Sequence, residues 1–183
     1  MAKSSAPRHF VVTRPGSVSP HKVRVLCLGN ELLADDAFGF VVADRLISEL
    51  PKHAVDAYPA VDATAKIEVV KSSLSGLALI DELTIASCLL VIDSVQTGTA
   101  PPGTIHIWRE DELKTPAGPS PHYLGIFETL RLARQLSLPA PEQVIVLAVE
   151  AADCITLGAP MHPAVLAAVP KVVEQVKQIA QKI

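Results

Sequence analysis

The chain is organised around Val23-Arg-Val-Leu-Cys-Leu-Gly-Asn-Glu-Leu-Leu-Ala-Asp-Asp-Ala-Phe-Gly-Phe40. Its first six residues are almost wholly apolar, which is typical of a strand buried on both faces of a parallel sheet. Gly29-Asn30 interrupts this strand, and Asp35-Asp36 precedes an amphipathic helix with an apolar residue every four positions. Open α/β sheets commonly use a strand, a tight turn and a helix to present acids at their strand ends. The segment therefore predicts an α/β fold with a functional site at that edge.

Length and composition favour one folded domain. The chain has 183 residues, of which 49% are hydrophobic and 19% charged, so a sizeable core is expected rather than disorder. The net charge of −3 argues against nucleic-acid binding, which requires a basic patch. Three cysteines without a CxxC pair are typical of a cytoplasmic protein with reduced thiols. No apolar run reaches the roughly 18 residues of a membrane span, so no membrane association is predicted.

The N-terminal segment has a different composition from the rest. Residues 1–22 contain basic residues, prolines and serines but no continuous apolar run, so they do not resemble a secretory signal. We expect residues 1–22 to be a flexible leader and residues 23–183 to form a single α/β domain, which we expect to be monomeric.

The periodicity of the chain predicts alternating strands and helices. Beyond the first strand, strands are expected at 66–72, 87–94, 104–108 and 143–149. Helices are expected at 37–50, 74–86, 123–136 and from Pro163, with a kink or restart at Pro170. This order predicts a three-layer sandwich, with a mostly parallel twisted sheet and helices on both faces. The strand at 104–108 follows its predecessor too closely for a helical crossover, which indicates an antiparallel edge strand.

Asp36, Asp93 and His122 are the candidate site residues. Asp36 follows the first strand, Asp93 ends the central strand, and His122 opens a helix after a proline-rich segment. Because parallel strands place their C-terminal ends along one edge of the sheet, the three side chains are expected to converge. Two carboxylates and an imidazole suit a divalent metal such as Ni²⁺ or Zn²⁺. They equally suit general acid–base catalysis on a bound water.

Each of these residues also has a purely structural interpretation. Asp35 and Asp36 are suited to capping the following helix, a role worth about 1 kcal/mol. The two roles can be divided, with Asp35 as the cap and Asp36 facing the crevice. Asp93 at a strand end can stabilise the following turn, and a histidine at a helix start is often a solvated or capping group.

Five further residues are weaker candidates. Glu31 and Glu150 lie near the same sheet edge, and the alternative for both is a solvated loop carboxylate. Cys88 lies in an apolar strand without a neighbouring base, which argues against a nucleophilic role. His106 and His162 are interpreted as surface groups. Neither GxGxxG nor GxxxxGK[ST] occurs in the sequence, so no nucleotide cofactor is predicted.

In four places the sequence resembles the hydrogenase maturation endopeptidases. Their opening motif, GN-x-L-x-x-D-[DE]-G-x-G after a buried strand, is matched by Gly29–Gly39. Their second motif, D-A-x-x-x-G, resembles Asp93–Gly98, and their third, S-x-H, resembles Ser120–His122. The final pattern, a Glu after a strand and later [LM]-[SH]-P, resembles Glu150 and Met161–Pro163. The resemblance runs in order from about Val23 to Gln178.

This resemblance implies a cytoplasmic endopeptidase that removes the C-terminal extension from the large-subunit precursor of a nickel-containing hydrogenase. It implies that Asp36, Asp93 and His122 bind nickel. The nickel would be supplied by the substrate, so the enzyme need not hold a permanent metal. Ala37 and Ser94 depart from the family pattern, where Gly and Ala are usual, and Asp36 stands where many members have Glu.

Two alternatives from other classes stay open at this point. One is a non-catalytic nickel-binding or chaperone module built on the same sheet. The other is a hydrolase of similar architecture, such as a peptidyl-tRNA hydrolase. The acidic balance of the chain and its Asp-Asp pair count against the second, because an RNA substrate requires a basic cleft.

Overall fold

The computed structural model describes residues 23–49, 67–84, 86–110 and 121–182, with the backbone alone for residues 121–125. The expected leader, residues 1–22, lies outside these residues. One sheet contains five strands: β1 Val23–Leu28, β2 Ile67–Ser72, β3 Cys88–Val95, β4 Ile105–Arg109 and β5 Gln143–Glu150. The strand order is β2-β1-β3-β5-β4. β1 runs parallel to β2 and β3, β3 runs parallel to β5, and β4 is antiparallel to β5 at the edge. These findings confirm the predicted mostly parallel sheet and its antiparallel edge strand.

Helices cover both faces of this sheet. They are α1 Phe38–Glu49, α2 Ile80–Leu83, α3 Pro121–Gln135, α4 Pro163–Leu166 and α5 Val169–Lys182. Short 3₁₀ turns, Ala34–Ala37 and Gly76–Leu79, lead directly into α1 and α2. Residues of α1 and α5 share one core with alternate residues of β1, β3 and β5. Residues of α2 and α3 share a second core with the intervening strand residues. The predicted three-layer arrangement is therefore confirmed.

The strands were recognisable in the sequence because both of their faces are covered. Every residue of β1 and every residue of β3 is buried, so apolar side chains run continuously along each strand. Arg24 is the exception in β1, and it is paired in register with Glu68 of β2. Its Nε donates to Glu68 Oε2 at 2.9 Å, and its Nη1 donates to the Glu82 carbonyl oxygen at 2.9 Å. These bonds compensate the buried charge.

The helix expected over 74–86 is shorter in the structure. Ser75 is extended and Gly76 has a φ of +56°, so the helical backbone begins only at Gly76 and ends at Leu83. Leu77, in the first turn of this stretch, is exposed. At the other end of the chain, α4 stops at Leu166 and α5 starts at Val169, so the predicted restart near Pro170 is confirmed.

The described helices contain no segment long and apolar enough to cross a membrane.

Candidate active site

Two glycines allow the end of β1 to lie against the start of α1. A Cβ on Gly29 would lie 2.0 Å from the carbonyl oxygen of Asp36, and a Cβ on Gly39 would lie 2.0 Å from that of Leu28. Gly29 also has a φ of +145°, which side chains of L residues rarely tolerate. The amide of Asn30 completes the turn by donating to the Asp36 carbonyl oxygen at 3.2 Å. Asp36 is thereby held at the C-terminal end of β1, the predicted edge of the sheet.

The structure brings Asp36 and Asp93 together. Asp93 lies in β3, next to β1, and is fully buried, whereas Asp36 is 8% exposed. Ser94 connects the two carboxyl groups. Its hydroxyl donates to Asp36 Oδ1 at 3.4 Å, and its amide donates to Asp93 Oδ1 at 2.8 Å. Two of the three residues selected from the sequence therefore share one site.

The second carboxylate oxygen of Asp93 receives no hydrogen bond from the residues that the structure describes. Oδ2 is buried and unpaired among the residues that the structure describes. Burial raises the pKa of Asp93 well above its usual value, the amide of Ser94 acts against this, and the charge of Asp36 raises the pKa further. A buried acceptor without a donor is unfavourable. A cation placed beside Oδ2 would supply the missing partner, so the residues present fit a positively charged ligand.

His122 is only partly located. Its backbone forms the second residue of α3, and its side chain lies outside the described atoms. Convergence of its imidazole with the two carboxylates therefore stays a prediction. Among the side chains that are described, no group of three His, Cys, Asp or Glu residues is already arranged around a metal position.

Asp35 does not cap the helix, contrary to the expectation from sequence. Leu33 occupies the N-cap position and makes no side-chain cap bond. Asp35 lies inside the 3₁₀ turn, is fully buried and faces the segment after β5. Its Oδ2 accepts from the amides of Ala152 at 2.8 Å and Asp153 at 3.0 Å, and its Oδ1 accepts from the amide of His162 at 2.6 Å. Asp35 thus fastens the start of α1 to residues 152–162.

Residues 151–162, which we call the post-β5 segment, border the acidic pair. The amide of Gly158 donates to the carbonyl oxygen of Leu32 at 2.8 Å, which joins this segment to the turn after β1. Three large apolar side chains on the joined segments are exposed: Leu32 by 60%, Ile155 by 81% and Leu157 by 71%. The carboxylates therefore lie beside an apolar surface that is open to solvent.

Cys154 also belongs to this neighbourhood, although it is not among the candidates expected from the sequence. Its half-buried thiol lies 3.5 Å from Ser94 Oγ, the hydroxyl that bonds Asp36. Burial raises the pKa of the Cys154 thiol to about 11, the bond with Ser94 lowers it, and the charges of Asp36 and other nearby carboxylates raise it. The position of Cys154 in the sequence already indicates this location, because Cys154 follows the end of β5 by four residues, at the same sheet edge as the aspartates.

Glu150 has a structural role, and its interpretation as a solvated loop carboxylate is wrong. It is 2% exposed and accepts from Thr97 Oγ1 at 2.6 Å, the amide of Gly98 at 2.8 Å and His106 Nε2 at 3.0 Å. Burial would raise the pKa of Glu150, but these bonds outweigh it and hold the pKa below its usual value. His106 is consequently not a free surface group, because it is tied to this buried acid.

The other weak candidates behave as their structural interpretations predicted. Glu31 is exposed. Cys88 is buried, its thiol donates to Gln143 Oε1 at 3.9 Å, and burial raises its pKa to about 11. His162 is exposed at the N-cap of α4, where its Nδ1 accepts from the amide of Ala164 at 3.2 Å.

Comparison with known proteins gives consistent sequence matches. The profile of the hydrogenase maturation protease family matches residues 46–179. The hydrogenase expression/formation protein HupD of Thiocapsa roseopersicina is 28% identical over 148 residues, which cover 79% of this chain and 61% of that protein. HoxM of Cupriavidus necator, described in the same words, is 30% identical over 151 residues, which cover 81% of this chain and 68% of that protein. The chain thus spans about three fifths to two thirds of the length of these relatives.

Solved structures share the fold. The hydrogenase maturating endopeptidase HybD from E. coli aligns with a TM-score of 0.70 and 23% identity, covering 88% of this chain and 93% of that one. The NiFe hydrogenase maturation protease HybD from Thermococcus kodakarensis aligns with a TM-score of 0.65 and 22% identity, covering 87% and 99%.

Proposed function

The chain belongs to the hydrogenase maturation protease family, and from this premise we propose that it is an endopeptidase. Its substrate is the large-subunit precursor of a nickel-containing hydrogenase, from which it removes the C-terminal extension after nickel insertion. The observation that supports this most is that Ser94 links Asp36 and Asp93 at the same edge of the sheet, while Asp93 Oδ2 has no donor among the described residues. A peptidyl-tRNA hydrolase is no longer a candidate, because the family is a different one.

Nickel enters this proposal as part of the substrate. Carboxylate oxygens and an imidazole nitrogen are ligands that a borderline divalent ion accepts. We assign Asp36, Asp93 and His122 as the residues that contact the nickel centre of the precursor. Because the site contacts the metal in this proposal, only a precursor that already contains nickel would bind. Nickel insertion is then a condition for cleavage.

The catalytic groups come from the same trio. Cleavage of a peptide bond by water needs a group that takes a proton from the attacking water. Asp36 is the favoured base of the pair, because it is 8% exposed whereas Asp93 is fully buried. Asp93 and His122 then orient the substrate centre so that the scissile carbonyl lies within reach of that water.

A polypeptide substrate agrees with the surface around the acids. Leu32, Ile155 and Leu157 expose apolar side chains beside the site, where an extended peptide can cover them. We propose that a monomer is the working unit. The three cysteines are free thiols, which supports a reducing compartment such as the cytoplasm.

The proposal is tested by mixing the purified protein with a nickel-loaded large-subunit precursor and following release of the extension by mass spectrometry. We expect complete cleavage by the wild-type chain and loss of at least about a hundredfold in rate for Asp36→Asn and His122→Ala. Asp44→Asn is the matched acid control, because its carboxylate is exposed on α1 and pairs with Lys71. His162→Asn is the imidazole control, since Asn retains the cap of α4.

Two outcomes would contradict parts of the proposal. Unchanged cleavage by Asp36→Asn and His122→Ala would show that the site is misassigned. Stoichiometric nickel binding by the isolated protein with no cleavage of any precursor would favour the non-catalytic chaperone instead.

A further inference from the structure

We propose that Leu32, Ile155 and Leu157, which we call the apolar patch, dock a segment of the precursor that carries both apolar and basic side chains. The inference rests on the proposed function, because the precursor is the partner that the neighbouring site receives. It adds the chemistry of the substrate segment that lies beside the cleaved bond. The apolar patch determines which polypeptide binds, while the neighbouring acids serve the cleavage itself.

The exposure of the apolar patch is the first argument. Leu32 is 60% exposed, Ile155 81% and Leu157 71%. Apolar side chains of this size are stabilised when a partner removes them from water, and several of them together on a surface mark a binding site. The post-β5 segment, which carries two of them, is fastened by Asp35 to the start of α1, so the apolar patch adjoins the acidic pair.

The two segments that carry the apolar patch are also bonded to each other. Leu33 and Leu157 form an antiparallel bridge, and the amide of Gly158 donates to the carbonyl oxygen of Leu32 at 2.8 Å. The backbone beneath the exposed side chains is therefore held in place before any partner arrives. A surface that is already ordered loses little conformational freedom on binding, which favours affinity.

The charge around the apolar patch is the second argument, and it specifies a basic partner. The described segments that follow strands at this edge of the sheet are residues 28–39, 72–76, 96–103 and 151–162, and none of them contains Lys or Arg. The acids in these segments are Glu31, Asp35, Asp36 and Asp153. Glu31 directly precedes Leu32, and Asp153 stands two residues before Ile155. An apolar centre with acids beside it attracts basic groups and disfavours acidic ones.

The same charges argue against a second copy of this chain as the occupant. Two copies that met through the apolar patch would bring Glu31 and Asp153 of each close to the acids of the other. Like charges placed together across an interface are unfavourable. A polypeptide with basic side chains next to its apolar ones meets both features of the surface at once.

The first part of the test measures peptide binding to the full chain by fluorescence anisotropy. The probe is a labelled synthetic peptide that alternates leucine and lysine, compared with one that alternates leucine and glutamate and one that alternates serine and lysine. We expect the leucine–lysine peptide to bind at least about tenfold tighter than the other two. Ile155→Ser combined with Leu157→Ser should weaken its binding by at least about tenfold, and Glu31→Lys should weaken it as well.

Two variants at the opposite edge of the sheet are the matched controls. Leu136 is 59% exposed between α3 and the start of β5, and Glu142 is exposed directly before β5. Leu136→Ser and Glu142→Lys should leave peptide binding unchanged. All these substitutions are at exposed positions, so the thermal unfolding of each variant should match that of the wild-type chain.

The second part of the test follows cleavage of the nickel-loaded precursor. The Ile155→Ser and Leu157→Ser double variant should raise KM with kcat unchanged, because the apolar patch contributes binding that is equal in the ground state and the transition state. A lower kcat with an unchanged KM would overturn the inference, since it would place these side chains in the chemical step instead.

The remaining outcomes separate this inference from the proposed function. If the wild-type chain cleaves the precursor but the peptides bind equally well, or the double variant keeps both its peptide affinity and its KM, the docking surface is refuted and the protease stands. If sedimentation shows a dimer that the double variant abolishes, the occupant is a second copy and the inference is overturned. If peptide binding depends on the apolar patch but no nickel-loaded precursor is cleaved, the proposed function fails and the binding chemistry of the patch survives.

Discussion

Asp35 and Asp36 are adjacent acids with different roles in the structure. Single substitutions of each residue distinguish these two roles. Asp35 is fully buried and accepts three backbone N–H bonds from the post-β5 segment. A hydrogen bond to a charged group contributes about 1.5–3 kcal/mol, and water entering the loop recovers part of the loss. We therefore expect Asp35→Ala to lower the free energy of unfolding by about 3–4 kcal/mol.

Asp36 should respond differently. Its bond from the hydroxyl of Ser94 is long, at 3.4 Å, and removing its charge relieves repulsion with Asp93. Asp36→Ala is therefore expected to lower the free energy of unfolding by less than Asp35→Ala does, although it removes the proposed base.

Thermal and urea unfolding of both variants measure this contrast. For a chain of this size, 1 kcal/mol shifts Tm by about 2–4 °C, so Asp35→Ala should lower Tm by about 10 °C. A fall of under about 2 °C for Asp35→Ala, or equal falls for both variants, would refute the assignment of Asp35 as the fastening between α1 and the post-β5 segment.

Three further predictions concern the framework of the site. Glu68→Met removes the partner of a buried guanidinium and should lower the free energy of unfolding in urea by about 3–5 kcal/mol, whereas Glu68→Met combined with Arg24→Met should lower it less. The pKa of Glu150 is held below its usual value in the folded protein. The contribution of Glu150 to the free energy of unfolding is therefore complete above the usual carboxyl pKa, and it is lost as the pH falls through the pKa that Glu150 has in the folded protein. Glu150→Gln should therefore flatten the acid limb of Tm against pH, and an unchanged limb would contradict this. Gly39→Ala places a methyl group 2.0 Å from a β1 carbonyl oxygen and should prevent accumulation of soluble protein, while Gly98→Asn, in open space at a φ of +67°, should not.

The sheet and the position of its site were accessible from sequence for a physical reason. Strands β1 and β3 are covered on both faces, so nearly all of their residues are apolar. Such a run can be recognised from a short stretch of sequence. Once parallel strands are assigned, their ends share one edge by geometry, which brings Asp36 near Asp93 without any knowledge of side-chain contacts.

The details of the site could not be obtained in this way. The partners of Asp35 lie 117 to 127 positions away in sequence, and local spacing favoured a helix cap that the structure does not contain. Glu150 likewise looked like a solvated acid, because its donors come from the loop after β3 and from the edge strand β4. Such contacts depend on how segments that are distant in sequence pack together, so a local sequence pattern cannot predict them.

The bonds from Asp35 to residues 152–162 also have a consequence for biosynthesis. Asp35 is translated 117 to 127 residues before the backbone amides of Ala152 and His162 to which it bonds. β5, which hydrogen-bonds to the strand that bears Asp93, also follows both acids in the chain. A nascent polypeptide that ends before β5 therefore exposes two carboxylates without these neighbours, and we expect the proposed hydrolytic activity to arise only after residues 152–162 have been translated.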